Sequence, residues 1–117
     1  MVRACRAVRS DVVVKVIVES AYLLSLSAEA GETAIAVACR AVRESGADFI
    51  KTSTGFHPAG GASIAAVALM KKYADGIQVK ASGGIRDLPT ALAMLSSGAD
   101  RLGLSASVKI LQAVGLD

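Results

Sequence analysis

The chain has 117 residues, 53% hydrophobic and 20% charged, which is enough apolar matter for one small core and excludes a disordered chain. Formal charge is only +3 and aromatics make up 3%, so the arginines near the start lack the interleaved rings that a base-stacking arm would use, and no nucleic-acid partner is expected. No apolar run approaches a membrane span and no leader-like apolar segment opens the chain, so the expected setting is the cytoplasm, without a membrane partner.

Taken in order, residues 2–9 put Val2, Cys5 and Val8 between Arg3, Arg6 and Arg9, the pattern of an amphipathic helix with a solvated basic face. Residues 12–18 are a β-branched run and predict a buried strand ending at Glu19-Ser20. Ser27 is a helix N-cap, the Ala- and Val-rich stretch behind it runs to about Glu44, and Gly46 stands at C′. Asp48 to Lys51 predicts the second strand, followed by a glycine- and proline-rich loop over 54–61. Ser63 caps a helix to about Tyr73, and residues 76–81 form a third strand broken by Ser82-Gly83-Gly84. Asp87 and Pro89 start a helix that Gly98 ends; residues 100–104 are the fourth strand and Ser105 opens the last helix.

A helix followed by four strand–helix units predicts right-handed crossovers and a parallel sheet, either doubly wound or part of a (β/α) barrel. The phrase Ser-Gly-Ala-Asp occurs at 45–48 and again at 97–100, each time closing a helix and opening a strand. In either architecture chemistry collects at the C-terminal strand ends. Those ends carry Glu19 and Ser20; Lys51, Thr52, Ser53, Thr54 and Gly55; Lys80, Ser82, Gly83, Gly84 and Arg86; Gly103, Ser105 and Ser107. No metal-ligand set appears among them, and Cys5 and Cys39 read as small apolar groups in a reducing compartment.

Lysines on successive strands can reach one cavity, and two like charges there disfavour double protonation. One amine can then be neutral and nucleophilic while the other moves protons. Gly83-Gly84 and Gly103-x-Ser105 read as two halves of a phosphate cradle ahead of helix N-termini. A Schiff-base enzyme acting on a small phosphorylated aldehyde is one chemistry that fits. His57 reads as a surface-loop histidine, and Tyr22 and Tyr73 as packing or rim residues.

Three segments taken together, Phe49-Ile50-Lys51-Thr52-Ser53-Thr54-Gly55-Phe56, Val79-Lys80-Ala81-Ser82-Gly83-Gly84-Ile85-Arg86 and Val14-Lys15-Val16-Ile17-Val18-Glu19, resemble the deoxyribose-phosphate aldolases, which are class I aldolases. The resemblance runs from about residue 4 to the end. It implies Lys51 as the Schiff-base lysine, Lys80 as the lysine that tunes it and Lys15 at the floor of the site. It further implies Thr54, Gly55, Gly83, Gly84, Gly103 and Ser105 around the substrate phosphate, with Arg86 beside them. The implied reaction is reversible cleavage of 2-deoxyribose 5-phosphate to glyceraldehyde 3-phosphate and acetaldehyde, with neither metal nor organic cofactor.

The same resemblance matches only the second half of an eight-stranded barrel. The family's catalytic aspartate falls in the half without a counterpart here, and its C-terminal tyrosine has none in Val114-Gly115-Leu116-Asp117. Where the family has two adjacent serines this chain reads Gly103-Leu104-Ser105-Ala106-Ser107. Residues 1–117 are therefore expected to form one (β/α)4 half-barrel. Its open sheet edges are expected to pair in a homodimer or higher homo-oligomer, each fourth strand meeting a partner's first. The alternatives are a non-catalytic sugar-phosphate-binding remnant and one half of a split aldolase.

Overall fold

The computed structural model describes residues 1–115. Four parallel strands, β1 (Lys15–Ile17), β2 (Phe49–Lys51), β3 (Gln78–Ser82) and β4 (Arg101–Gly103), lie side by side in the order β1-β2-β3-β4. This sequential order is that of a (β/α) barrel; a doubly wound sheet reverses at its switch point. The helices are α1 (Val2–Val8), α2 (Ser20–Leu24), α3 (Ala28–Glu44), α4 (Ile64–Ala74), α5 (Leu88–Ser96) and α6 (Ser107–Ala113). None of them is long and apolar enough to cross a membrane.

Register decides which side chains meet. Ile17, Lys51, Lys80 and Arg101 stand level across the four strands, with Lys15, Phe49 and Gln78 one layer below. Alternation then sends Val16, Ile50, Val79, Ala81 and Leu102 to the opposite face. There they join Ile35, Cys39, Val67, Met70 and Met94 in the core under the helices. Burial pushes the Cys39 thiol up to about 11, in keeping with an inert packing group. The other face carries the cations and, among the described residues, has no helix layer over it.

The Ser-Gly-Ala-Asp repeat is a stapling device. Gly46 and Gly98 take positive φ (77° and 109°) and turn the chain from helix to strand. A side chain at Gly98 would also run into the Lys71 stem, 2.5 Å away. The aspartate that follows accepts a backbone N–H from the preceding strand: Val14 to Asp48 at 2.7 Å and Val79 to Asp100 at 2.8 Å. Each is backed by a helix cation, Arg6 of α1 for Asp48 and Lys71 of α4 for Asp100. Arg6 is thus a strut and not purely a solvated charge.

These contacts hold both carboxyls below their ordinary value. For Asp48 the Val14 amide is the main cause; for Asp100 burial opposes, and the Val79 amide and Lys71 outweigh it. A depressed folded-state value contributes stability above the ordinary carboxylate range, and that stability disappears as pH falls through the folded value. Asp100→Ala strands the buried Val79 N–H and is expected to cost about 1–3 kcal/mol at pH 7. The difference from wild type should shrink towards pH 3, as urea unfolding followed by circular dichroism would show.

Most boundaries follow the sequence. Ser27, Ser63 and Asp87 cap α3, α4 and α5 through side-chain oxygens that accept N–H from Ala30, Ala66 and Thr90. Four expectations change. β3 starts two residues later than expected and takes in Ser82, which closes the strand instead of breaking it. β1 is shorter than 12–18, although Val18 N–H still donates to the Lys51 carbonyl and Phe49 N–H to that of Val14. A short helix, α2, follows it directly. α6 starts at Ser107, not Ser105, because the chain makes a further turn through Ala106, where the Ser107 hydroxyl donates to the Leu104 carbonyl at 3.1 Å.

Candidate functional site

At the C-terminal strand ends lies a cleft of about 470 Å³. Its wall includes Lys51, Thr54, Gly55, Lys80, Gly83, Gly84, Arg86, Gly103 and Ser105, so nine of the ten residues singled out in the sequence meet in one place. The tenth, Lys15, lies below it, with its amine 5.6 Å from the Phe49 ring centroid; Arg101 caps the same ring at 4.6 Å. Phe49 is almost fully buried, a cation-flanked floor beneath the lysines.

Lys51 and Lys80 are register partners on adjacent strands, both half-buried. The site holds Lys80 below the ordinary lysine range, through burial first and then the charges of Lys51, Lys15 and Arg101. Lys80, implied by the resemblance as a tuning charge, is therefore an amine that its surroundings push towards the neutral form. Gly103 makes room for it: a Cβ there would sit 2.9 Å from Lys80 Cε. The absent side chain at Gly103 thus serves the lysine as well as the turn.

The hydroxyls divide into two groups. Thr52 and Ser53 are fully buried and do not line the cleft, the Ser53 hydroxyl donating to Thr52 Oγ1 at 3.0 Å. Ser82 N–H donates to Thr52 Oγ1 at 3.0 Å and the Ser82 hydroxyl donates to the Ser53 carbonyl at 2.7 Å, tying the ends of β2 and β3 together. Thr54 is exposed, and its N–H is already engaged. It donates to Glu19 Oε1 at 2.9 Å, while the Thr54 hydroxyl accepts from Phe56 N–H at 3.3 Å. Its backbone donor is thus engaged within the chain, while the residue itself lines the cleft.

Glu19 reaches Thr54 from a left-handed backbone (φ 50°), a conformation that costs a residue with a Cβ about 1–2 kcal/mol. Hydrogen bonding from Thr54 holds its carboxyl below the usual range against an opposing burial effect, with help from His57 and Lys51. In the sequence Glu19 stands only as a strand-end carboxylate after a β-branched run, with nothing to indicate its partner. His57 is half-buried rather than freely exposed, its Nδ1 accepting Ala59 N–H at 3.1 Å and its ring 5.4 Å from that of Tyr22.

The glycine turns are built by mutual contact. Gly83 (φ 89°) packs backbone to backbone against Gly61 and Gly55, and a Cβ on either Gly61 or Gly83 would overlap the other's main chain. Gly61 was legible only as part of a loop doublet. The N-terminus of α5 is already capped by the Asp87 carboxylate, so it is the turns and not that helix end that face the cleft. Among the described residues no group of three or more His, Cys, Asp or Glu is arranged to hold a metal ion.

Comparison with known proteins agrees with this geometry. A family profile described as DeoC/LacD family aldolase matches residues 1–113. The deoxyribose-phosphate aldolase of Mycobacterium avium is 53% identical over 115 residues, 97% of this chain and 50% of that protein. Among solved structures, an aldolase called QR15 superposes with a TM-score of 0.80 at 46% identity, over 93% of this chain and 46% of its own. The deoxyribose phosphate aldolase of Aeropyrum pernix, described as a tetramer, superposes with a TM-score of 0.81 at 32% identity, over 97% of this chain and 45% of its own. The chain spans about half the length of the relatives it matches, consistent with half of a barrel. It belongs to the DeoC/LacD family of aldolases.

Proposed function

We propose that the cleft is a Schiff-base aldolase site for 2-deoxyribose 5-phosphate. The observation that carries this reading is the level pairing of Lys51 and Lys80 beneath the glycine turns. In the cleavage direction the Lys51 amine attacks the C1 aldehyde and water leaves, giving an iminium. Loss of the C3 hydroxyl proton then breaks the C2–C3 bond. Glyceraldehyde 3-phosphate departs, and the electron pair stays on C2 as an enamine. Protonation at C2 and hydrolysis release acetaldehyde and restore the amine. Lys80, eased towards its neutral form, suits the proton transfers. The turns at Gly55, Gly83-Gly84 and Gly103–Ser105, with Arg86, hold the phosphate. The iminium itself is the electron sink, so the proposal calls for no metal or organic cofactor.

The site works best with its open side covered. β1 and β4 each have a free edge, and Ile17 is 41% exposed on the inner face. Beside β4 an apolar groove of about 450 Å³ runs between α5 and α6. A second copy, its β1 against this β4 and its β4 against this β1, closes an eight-stranded barrel. Lys15, Lys51, Lys80 and Arg101 form no ion pair among the described residues. Two copies would set these cations face to face, so the assembly is expected to strengthen with an anion in the lumen.

The half-length match supports a second reading, in which the chain is one part of a two-chain aldolase. Both readings are tested by coupled detection of glyceraldehyde 3-phosphate from deoxyribose 5-phosphate across a size-exclusion profile. Activity in a dimer or larger peak supports the first reading. Activity only after adding a separate chain supports the second, and phosphate binding without cleavage in any fraction overturns both.

A further inference from the structure

Three features surround Glu19 that the aldolase reading does not use. It is one of two described non-glycine residues with positive φ, and it sits two residues past β1, at the N-cap of α2. Its Oε1 accepts the Thr54 N–H, joining the β1 end to the turn that leads away from Lys51. Its Oε2 is buried without a hydrogen-bond partner, as is the hydroxyl of fully buried Ser20 next to it. On the backbone side the same two segments are closed by Val18 N–H to the Lys51 carbonyl at 3.1 Å and Ser20 N–H to the Thr52 carbonyl at 2.8 Å. The main chain on either side of the strained residue is therefore fixed, and the Thr54 N–H is the one hydrogen bond that holds its carboxylate among the described residues.

The consequence concerns anions. Thr54 and Gly55 line the cleft, and an exposed amide on a turn beside lysines is a ready phosphate donor. Here that amide already serves a carboxylate. With one oxygen unpartnered, the carboxylate keeps an incompletely neutralised negative charge at this end of the cleft, while no Asp or Glu lines the cleft itself. The two ends thus differ in sign: glycine turns and Arg86 on the β3–β4 side, a carboxylate on the β1–β2 side.

We propose that Glu19 is a specificity-determining and positioning residue: it pins the Thr52–Gly55 turn through the Thr54 amide and denies that amide to phosphate, so that a phosphorylated substrate enters with its phosphate towards β3 and β4. This rests on reading the Gly83-Gly84 and Gly103–Ser105 turns as the phosphate seat.

The test titrates inorganic phosphate into the ¹⁵N-labelled chain and its Glu19→Gln and Glu19→Gly variants, following backbone amide shifts. Glutamine keeps an oxygen for Thr54 and removes the charge. Glycine removes both and takes the left-handed backbone without strain, so it should fold. In wild type the amides of Gly83, Gly84 and Ser105 are expected to move and that of Thr54 to stay. Both variants should bind phosphate roughly fivefold tighter, since a nearby like charge has gone. In Glu19→Gly the Thr54 amide should join the responding set and lose its protection from hydrogen exchange. A purely structural pin would instead weaken binding in Glu19→Gly and leave Glu19→Gln unchanged, which overturns the proposal, as does a Thr54 response in wild type. If wild type binds no phosphate, the phosphate seat and with it this orientation are overturned. Imine trapping at Lys51 is measured separately, so failure of the Schiff-base chemistry is not mistaken for failure of the Glu19 proposal.

Discussion

Under the proposed Schiff-base function, borohydride is expected to trap an acetaldehyde adduct on the wild-type chain and Lys51→Leu is expected to abolish it. An imine needs an amine that can reach a carbonyl, and Lys51 presents its amine at the β2 end where the cleft wall is formed. Leucine keeps most of the half-buried stem, so packing should survive and the loss should be chemical. Cleavage of deoxyribose 5-phosphate should fall to the uncatalysed background. Lys80→Leu should behave differently: with the partner charge gone the adduct on Lys51 should still form, while turnover drops by about 10²–10⁴-fold if Lys80 moves protons. Peptide mapping of the trapped adduct decides the assignment. A label that stays in Lys51→Leu and maps to Lys80 would exchange the two roles.

How far the sequence could reveal this site depends on the kind of signal each residue leaves. Lys51 and the Gly83-Gly84 doublet stand at breaks in hydrophobic runs, so their positions at strand ends follow from pattern alone, whereas Lys80 falls in the middle of β3. The direction of a side chain past the last strand residue has no periodicity to betray it. Thr52, Ser53 and Thr54 are three consecutive hydroxyl residues, yet only Thr54 reaches the cleft wall while the other two lock β2 to β3. Glu19 was uninformative for the same reason: its reach to Thr54 depends on a left-handed turn that a glutamate does not announce. The choice between a doubly wound sheet and a barrel likewise rests on strand order, which propensity does not encode. The repeated Ser-Gly-Ala-Asp marked the helix-to-strand turns correctly. That its aspartates fasten the preceding strand emerged only from the register.

Gly83→Ala and Gly61→Ala should be the most damaging small substitutions at the cleft, and comparison with Gly84→Ala separates the causes. At Gly83 an added Cβ meets two penalties. The φ of 89° costs about 1–2 kcal/mol for a residue with a Cβ. The new atom would also lie 2.9 Å from Gly61 Cα, a backbone contact that no rotamer can relieve, at about 1–3 kcal/mol more. Gly61→Ala suffers the second penalty alone, its Cβ falling 2.5 Å from the Gly83 carbonyl carbon. Gly84→Ala suffers only the first, since φ is 84° and no atom beyond its chain neighbours lies within 4 Å of the new Cβ among the described residues. Urea unfolding should therefore rank both clashing variants below Gly84→Ala, with a total loss of about 2–5 kcal/mol in Gly83→Ala. Because the Gly61–Gly83 contact sets the shape of the turn, phosphate affinity should fall in both clashing variants and hold more nearly in Gly84→Ala. Equal losses in Gly83→Ala and Gly84→Ala would mean that backbone strain alone shapes the turn, and the close approach of the Gly61 and Gly83 main chains would have no part in forming the anion seat.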